Sequence, residues 1–386
     1  MNQLNLDRIA GLYVTNPSGT GLLVASAGNH LNLIGADIRN DSKDKDSFTL
    51  LTANNDITLS TVQIAEQNNS IQNAKNYLKH GSTQDIGTQI KTTGDIILQA
   101  GNDLNAKAAS ITSQDGKLTG IAANAITLQN GEATSHMSAA RTVKKSGSFS
   151  SKKTTTRDTY NDTNSIASNF SAETINLQSG NDIGITGSNI IATNDVNLNA
   201  SNSITVTSTQ DTHTETHYKK VKQSGLSNSG ASVTYGSSKL TTTNDTQTST
   251  NVASTVGSVE GDVNINSGKT YTQTASDVLT PKGDIDITAK QVNIVAGTDT
   301  YANQQTMKYK QSGITLAVSS PVISAIQTVS QMANAASHTK DGRMQLLAAG
   351  TAALAINNAA QTLITANTVK LDDNKLEVLN DDGLNS

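Results

Sequence analysis

At 386 residues the chain is long enough for more than one compact domain, yet it has no Trp, three Phe and only 3% aromatic residues. A formal net charge of −4 excludes a nucleic-acid signature for the whole chain, and the absence of Cys excludes disulfides, zinc ribbons and thiol catalysis together. With apolar residues at 35%, the chain is either disordered polar sequence or a β-rich repeat with a thin core, and periodicity decides between them.

The N-terminus, Met1-Asn2-Gln3-Leu4-Asn5-Leu6-Asp7, has neither a basic n-region nor an apolar h-region and does not read as a signal peptide. It is expected to open either a cytosolic protein or a fragment of a longer chain. Leu31/Leu33, Ile38, Leu50, Ile57/Leu59 and Ile64 then give a loose short period. The period tightens at Ile96/Leu98, Leu104, Ile111, Leu118 and Ile126/Leu128, with intervals of 8, 7, 7 and 8. It returns at Ile175/Leu177, Ile183/Ile185, Ile190, Val196/Leu198 and Ile204/Val206, with intervals of 8, 7, 6 and 8. Apolar residues two apart share one face of a strand. Turn formers such as Ser179-Gly180-Asn181-Asp182 separate the strands. Three strands of about seven residues make a coil of about 21, and successive coils pair in parallel about 4.8 Å apart. Ile and Val fill the narrow interior while Asn and Thr stack in corner ladders. Disorder predicts no such phase. The fold class expected is all-β: a right-handed parallel β-helix (β-solenoid) with β-ribbon excursions and a C-terminal α-helical hairpin.

A longer period overlies the short one. Gly28-Asn29, Gly101-Asn102, Gly180-Asn181 and Gly261-Asp262 each open a strand, spaced 73, 79 and 81 apart. The Gly-Asn-Asp turn is read as one that permits left-handed backbone angles. The Gly-Gly-x-Gly-x-Asp repeats of calcium-binding solenoids do not occur. Polar excursions are expected near 66–92, 130–170, 208–258 and 298–316, with the solenoid as a whole covering 1–320. They share a motif: Lys144-Lys145-Ser146-Gly147, Lys222-Gln223-Ser224-Gly225 and Lys310-Gln311-Ser312-Gly313. Alternation of Thr212, Thr214, Thr216 and Tyr218, and later Tyr235, points to β-ribbons.

After Ser320 the period becomes helical. Pro321 suits a first turn, and Val322, Ile326, Val329, Ala333 and Ala336 form one stripe. A second segment from Met344 to about Ala366 is uncharged and long enough to span a membrane, although Asn357, Asn358, Gln361, Thr362 and Thr365 disfavour spanning. Residues 321–370 are therefore expected to form a helical hairpin capping the solenoid, with insertion into a membrane as the alternative. Residues 371–386 read as an acidic flexible tail.

The blocks resemble the haemagglutinin repeats of filamentous haemagglutinins and contact-dependent inhibition toxins. The carrying residues are Ser179-Gly180-Asn181-Asp182-Ile183-Gly184-Ile185-Thr186-Gly187-Ser188, then Asn194-Asp195-Val196-Asn197-Leu198-Asn199-Ala200, Ile204-Thr205-Val206, Thr209-Gln210-Asp211 and the Lys-x-Ser-Gly excursion. The resemblance covers roughly residues 20 to 316. It implies a rod exported by two-partner secretion, through an outer-membrane secretion partner of the full-length parent. The rod would stand on a Gram-negative surface, where it acts in adhesion or carries a toxin to a neighbouring cell. Neither the family's secretion domain, nor its Val-Glu-Asn-Asn motif, nor any toxin domain is recognisable here.

Two candidate sites stand out. His213, Glu215 and His217 share one strand face and have ligand chemistry, but a solvated face of a polar ribbon is the plainer reading. Arg141, Lys144, Lys145, Lys152, Lys153 and Arg157 form an acid-free stretch able to contact an anionic surface such as lipopolysaccharide or sulfated glycan; solubilising decoration is the alternative. No phosphate-cradling loop, Gly-x-Ser-x-Gly elbow or zinc-protease motif occurs, so neither an enzyme nor a cofactor is expected. The expected function is adhesion, or the stalk of a contact-dependent toxin, with a target-cell receptor or glycan as partner. The alternative is a spacer with no ligand, in which the excursions only set fibre shape. Excursions clustered on one flank would favour the first; scattered ones, the second.

Overall fold

A computed structural model describes residues 1–147, 150–229, 232–311, 370–372 and 375–377. The chain forms two units, Met1–Val318 and Ser319–Ser386. In the second, Lys370–Asp372 pairs antiparallel with Lys375–Glu377. The expected helical hairpin over 321–370 lies outside the described residues, apart from Lys370.

The described residues of the first unit form a parallel β-helix of eight coils. Three eight-stranded parallel sheets run the length of the solenoid, each taking one strand from every coil. The register is strict: Ile90 lies over Ile38 and under Ile111, and Leu104 lies between Ile57 and Ile126. Alternation sends every second residue inward, so the strand Asp95–Ala100 buries Ile96, Leu98 and Ala100. The resulting columns are files of aliphatics, such as Leu51, Leu98, Leu177, Leu198 and Ile265, interrupted once by Gly120. Leu51, Leu98, Leu177 and Leu198 are fully buried. A coil interior is this narrow, which is why the chain needs so few rings. Phe170 and Tyr271 are the large ones it does bury. Burial pushes the Tyr271 phenol up to about 12, and its hydroxyl donates to Gln273 Oε1 at 3.0 Å.

The stacked exterior behaves as the sequence suggests at the ladders and differently at the glycines. Asn197 donates to Asn176 at 2.9 Å and receives from Asn264 at 3.1 Å, one rung per coil. Gly-Asn-Asp works by a different means from the left-handed turn expected of it. Neither Gly101 nor Gly180 has a positive φ. A Cβ on Gly101 would stand 1.9 Å from Asn54 O, and one on Gly180 would stand 2.0 Å from Ala123 O, so glycine is there to let coils touch. The Asp then ties one coil to the next: Asp103 accepts from Asn124 Nδ2 at 2.7 Å and from Ala125 N at 3.1 Å. Asp182 does the same for Asn202 and Ser203.

Left-handed backbone occurs instead at a second corner. Gly35 (φ 54°), Ala108 (47°), Gly187 (51°) and Ala275 (44°) each follow the third strand of a coil and turn the chain directly into the next. At the intervening coils the chain leaves the solenoid at this corner. It does so as the hairpins Val62–Asn73 with Asn76–Ile86, Gly131–Ser146 with Ser150–Ile166, and Thr209–Ser229 with Ser232–Val252, and as the strand Thr300–Gln311. The coils resume at Gln89, Asn169 and Thr255. Thus 89–92 and 255–258 belong to coils although the expected excursions 66–92 and 208–258 include them. Two single residues also move: Leu51, not Leu50, points inward, and Ile64 lies in a hairpin.

The hairpins join edge to edge. Together with Asn2–Leu4 and Thr300–Gln311 they make one eight-stranded antiparallel sheet, called here the fin. Geometry explains the alternation. Two coils rise about 9.6 Å, and a hairpin of two strands is about 9.6 Å wide, at about 4.8 Å per strand in both cases. One hairpin every second coil therefore tiles the flank without gap or overlap. A carboxylate stitches the three junctions after the first hairpin: Asp85 accepts from Glu132 N at 3.2 Å, Asp211 from Ser165 N at 2.7 Å, and Asp299 from Asn251 N at 2.7 Å. Asp85 also holds the fin to the solenoid through Lys107 Nζ at 2.9 Å.

Candidate functional site

The fin carries both clusters singled out in the sequence, and the pleat decides which members meet. Directly paired residues in neighbouring strands share a face, and successive residues alternate faces. His213, Glu215 and His217 fall on one face, opposite Asp162, Tyr160 and Asp158 of the adjacent strand. His213 Nδ1 pairs with Asp162 Oδ1, and His217 Nδ1 with Asp158 Oδ1 at 2.9 Å. Glu215 Oε2 sits between the two rings, 3.3 Å from His217 Nε2 and 3.7 Å from His213 Nε2. Tyr160 packs edge-on to His217 with ring centroids 5.3 Å apart. Hydrogen bonding to Asp158 and the charge of Glu215 raise the His217 pKa, against desolvation. Desolvation raises that of Tyr160, helped by Glu215 and Asp158. The cluster is an imidazole–carboxylate ladder whose ring nitrogens face carboxylates. Among the described residues no group of three or more His, Cys, Asp or Glu stands in a metal-holding arrangement.

The basic stretch is split by the same pleat. Lys144, Lys153 and Arg157 lie on the face opposite the histidines, whereas Arg141, Lys145 and Lys152 lie on the histidine face. The first group gains company from strands distant in sequence. Lys144 pairs with Lys153, Lys153 with Lys222, Lys222 with Lys239, and Lys239 with Lys310. Five lysines thus stand in one row across five strands. Four are exposed and Lys239 is half-buried. Lys220 and Lys308 extend the basic face one step toward the solenoid, and Arg157 stands over the Tyr218 ring at 5.7 Å. Among the described residues the lysine ion pairs are Lys107 with Asp85 and Lys282 with Glu260, both away from this row.

Sequence reading marked Lys144 and the repeated Lys-x-Ser-Gly motif but not the partners Lys222, Lys239 and Lys310 as site residues. The available signal was the motif itself, whose first lysine is Lys144, Lys222 or Lys310 in turn. Lys239 had no such marker, because its place depends on counting register back from the turn of its hairpin.

Comparison with known proteins agrees with the architecture. The hemagglutinin repeat family matches residues 42–225, which run from the second strand of coil two through coil six into the first strand of the following hairpin. A "tRNA nuclease CdiA-2" of Burkholderia pseudomallei is 29% identical over 274 residues, covering 70% of this chain and 9% of that protein. A "Deoxyribonuclease CdiA" of Yersinia pseudotuberculosis is 38% identical over 193 residues, covering 50% of this chain and 18% of the relative. A "Toxin CdiA" of Yersinia pestis is 34% identical over 197 residues, 51% of this chain and 6% of that protein. The chain thus spans less than a fifth of the length of each of these three relatives, and no solved structure matches it. Periodic coils with a hairpin at every second coil agree with these likenesses, in which residues 42–225 match the hemagglutinin repeat family and most of the coils resemble the repeat segments of CdiA proteins.

Proposed function

We propose that this chain is a non-catalytic stalk segment of an exported, surface-displayed exoprotein, and that its fin is the face presented to a target cell. One observation carries the reading: the excursions gather into a single continuous sheet on one flank instead of scattering around the rod. A spacer needs only the coils. A fin kept in register over eight strands, with different chemistry on its two faces, supports a surface built for contact. The relatives bear nuclease names of different kinds, tRNA nuclease and deoxyribonuclease, yet share this same repeat segment. That supports a carrier role common to different activities. Export would run through the outer-membrane secretion partner of the full-length parent, and the fin's partner would be a receptor or glycan on the target surface.

Because the chain lacks Cys, single thiols can be placed at will. A bulky maleimide label on Thr214→Cys in the fin is expected to abolish saturable binding of the full chain to Gram-negative cells, measured by flow cytometry. The same label on Gln99→Cys, exposed on the solenoid, is expected to leave binding intact. Equal binding by both labelled proteins, or no binding at all, would favour the spacer.

A further inference from the structure

We propose that the lysine row is a binding site for a linear acidic polysaccharide, a chain carrying one carboxylate per sugar ring. The inference deepens the docking role of the fin and rests on it. Lys144, Lys153, Lys222, Lys239 and Lys310 are direct cross-strand neighbours in four successive strand pairs. Like charges set directly opposite each other weaken a sheet. A row of five with no carboxylate beside it is a small standing electrostatic cost, which an anion from outside would relieve.

The geometry also selects the kind of anion. The row crosses the strands, so its charges recur at the strand spacing of about 4.8 Å, close to the rise of one pyranose ring in an extended chain. Duplex DNA presents a charge about every 1.7 Å, too dense for this row to match. Single-stranded nucleic acid needs aromatic platforms between its cationic contacts, and the five paired positions hold only lysine. On this same face a serine row, Ser146, Ser151, Ser224 and Ser237, flanks the lysines toward the hairpin tips, with Ser151 Oγ and Ser224 Oγ 2.9 Å apart. On the solenoid side lie Thr142, Thr155 and Thr241, interleaved with Lys220 and Lys308. Hydroxyls on both sides of a line of ammonium groups suit a ribbon with carboxylates along it and ring hydroxyls at its edges. A shallow depression follows the row, lined by Lys144, Lys153, Lys222, Lys239 and Lys310 with Ser151 and Ser224.

The test uses the full chain and polygalacturonate as probe, with binding followed by biolayer interferometry at low and high salt. Wild type is expected to bind polygalacturonate and not neutral dextran, with affinity falling steeply as salt rises. The triple variant Lys153→Gln/Lys222→Gln/Lys239→Gln is expected to weaken binding by about tenfold or more, because several simultaneous ion contacts are lost. The charge-matched control Lys145→Gln/Lys152→Gln/Lys219→Gln, on the opposite face, is expected to change it by less than about twofold. Equal losses in both triples, or salt-independent binding by wild type, would overturn the site. Tighter binding of heparin, duplex DNA or phosphatidylglycerol vesicles through the same lysines would overturn the carboxylate-polysaccharide assignment. The salt dependence of wild type stands even where a variant misfolds. Cell binding that survives in the row variant would remove this inference and leave the docking role of the fin, whereas absent cell binding by wild type removes the docking role itself.

Discussion

The solenoid and the fin are built from the same chain with the same strand spacing, yet they are different materials. In the solenoid the interior coils bury their aliphatic files almost completely, the two end coils only in part, and the parallel register is set by what must point inward. Among the described residues neither face of the fin is covered by another layer, and most of its side chains remain partly exposed. Its register is held by backbone pairing, by Thr–Thr contacts such as Thr83 with Thr134 at 2.6 Å, and by the imidazole–carboxylate ladder. Burial gives the first region its stability and leaves its surface little freedom. The second spends little on burial and is free to carry chemistry. Rows that would be costly in the solenoid, five lysines above all, are tolerable in the fin, because water screens them.

That contrast can be broken experimentally, most severely in the core. Leu177→Ala is expected to cost about 2–5 kcal/mol in chemical denaturation, whereas Val221→Ala in the fin is expected to cost under about 1 kcal/mol. Comparable losses would mean that the fin is as tightly packed as the coils. At the corner where the two regions part, Gly187→Ala meets both a left-handed φ of 51° and Thr209 Cγ2 at 2.4 Å. A loss of about 1–3 kcal/mol is expected there. This corner follows a swap rule. Gly35 lies under Val62 and Gly187 under Thr209, whereas Ala108 lies under Gly131 and Ala275 under Gly297. A Cβ on Gly131 would stand 2.8 Å from Ala108 Cβ, so Gly131→Ala alone is expected to cost about 1–3 kcal/mol. Adding Ala108→Gly should restore most of it, with a coupling of at least about 0.5 kcal/mol in a double-mutant cycle; strict additivity would refute the rule.

Smaller effects sharpen the contrast within the fin. The His217 pKa is raised in the folded state above its ordinary 6.5, first by the Asp158 hydrogen bond. Its contribution to stability is therefore fully present below that ordinary value and is lost as pH rises through the folded pKa. Hydrogen exchange in the strand Thr209–Ser229 should accelerate across that window, beyond the intrinsic base-catalysed trend, while solenoid strands hold steady. His217→Gln should flatten the response, whose size is only a few tenths of a kcal/mol because the ring is 38% exposed. Least of all, Lys222→Thr removes two like-charge contacts and is expected to stabilise the fin by a few tenths of a kcal/mol while weakening its hold on acidic glycan. A destabilised variant would mean that the lysine row is not under electrostatic tension.

The coils were legible wherever apolar residues two apart recurred without interruption, as at 96–128 and 175–206. They were hard to read over 255–295, where Val263 and Ile265 are followed by Tyr271, an aromatic replacing the aliphatic of its file. Leu50 and Leu51 could not be separated in a run of two leucines, since alternation alone does not say which points inward. The histidine face was legible because its three members are adjacent in one strand. The lysine row was not, since its members come from five strands spread over more than 160 residues.

What this sequence determined by itself is local: period two within a strand, the length of a coil, the turns between strands, and the type of each fin side chain. Those follow from steric and solvent preferences that act over a few residues. Tertiary structure alone decided that the hairpins merge, which lysines meet, and where left-handed corners fall. The physical reason is commensurability: two coils rise by the width of one hairpin, so excursions some 80 residues apart become neighbours in register.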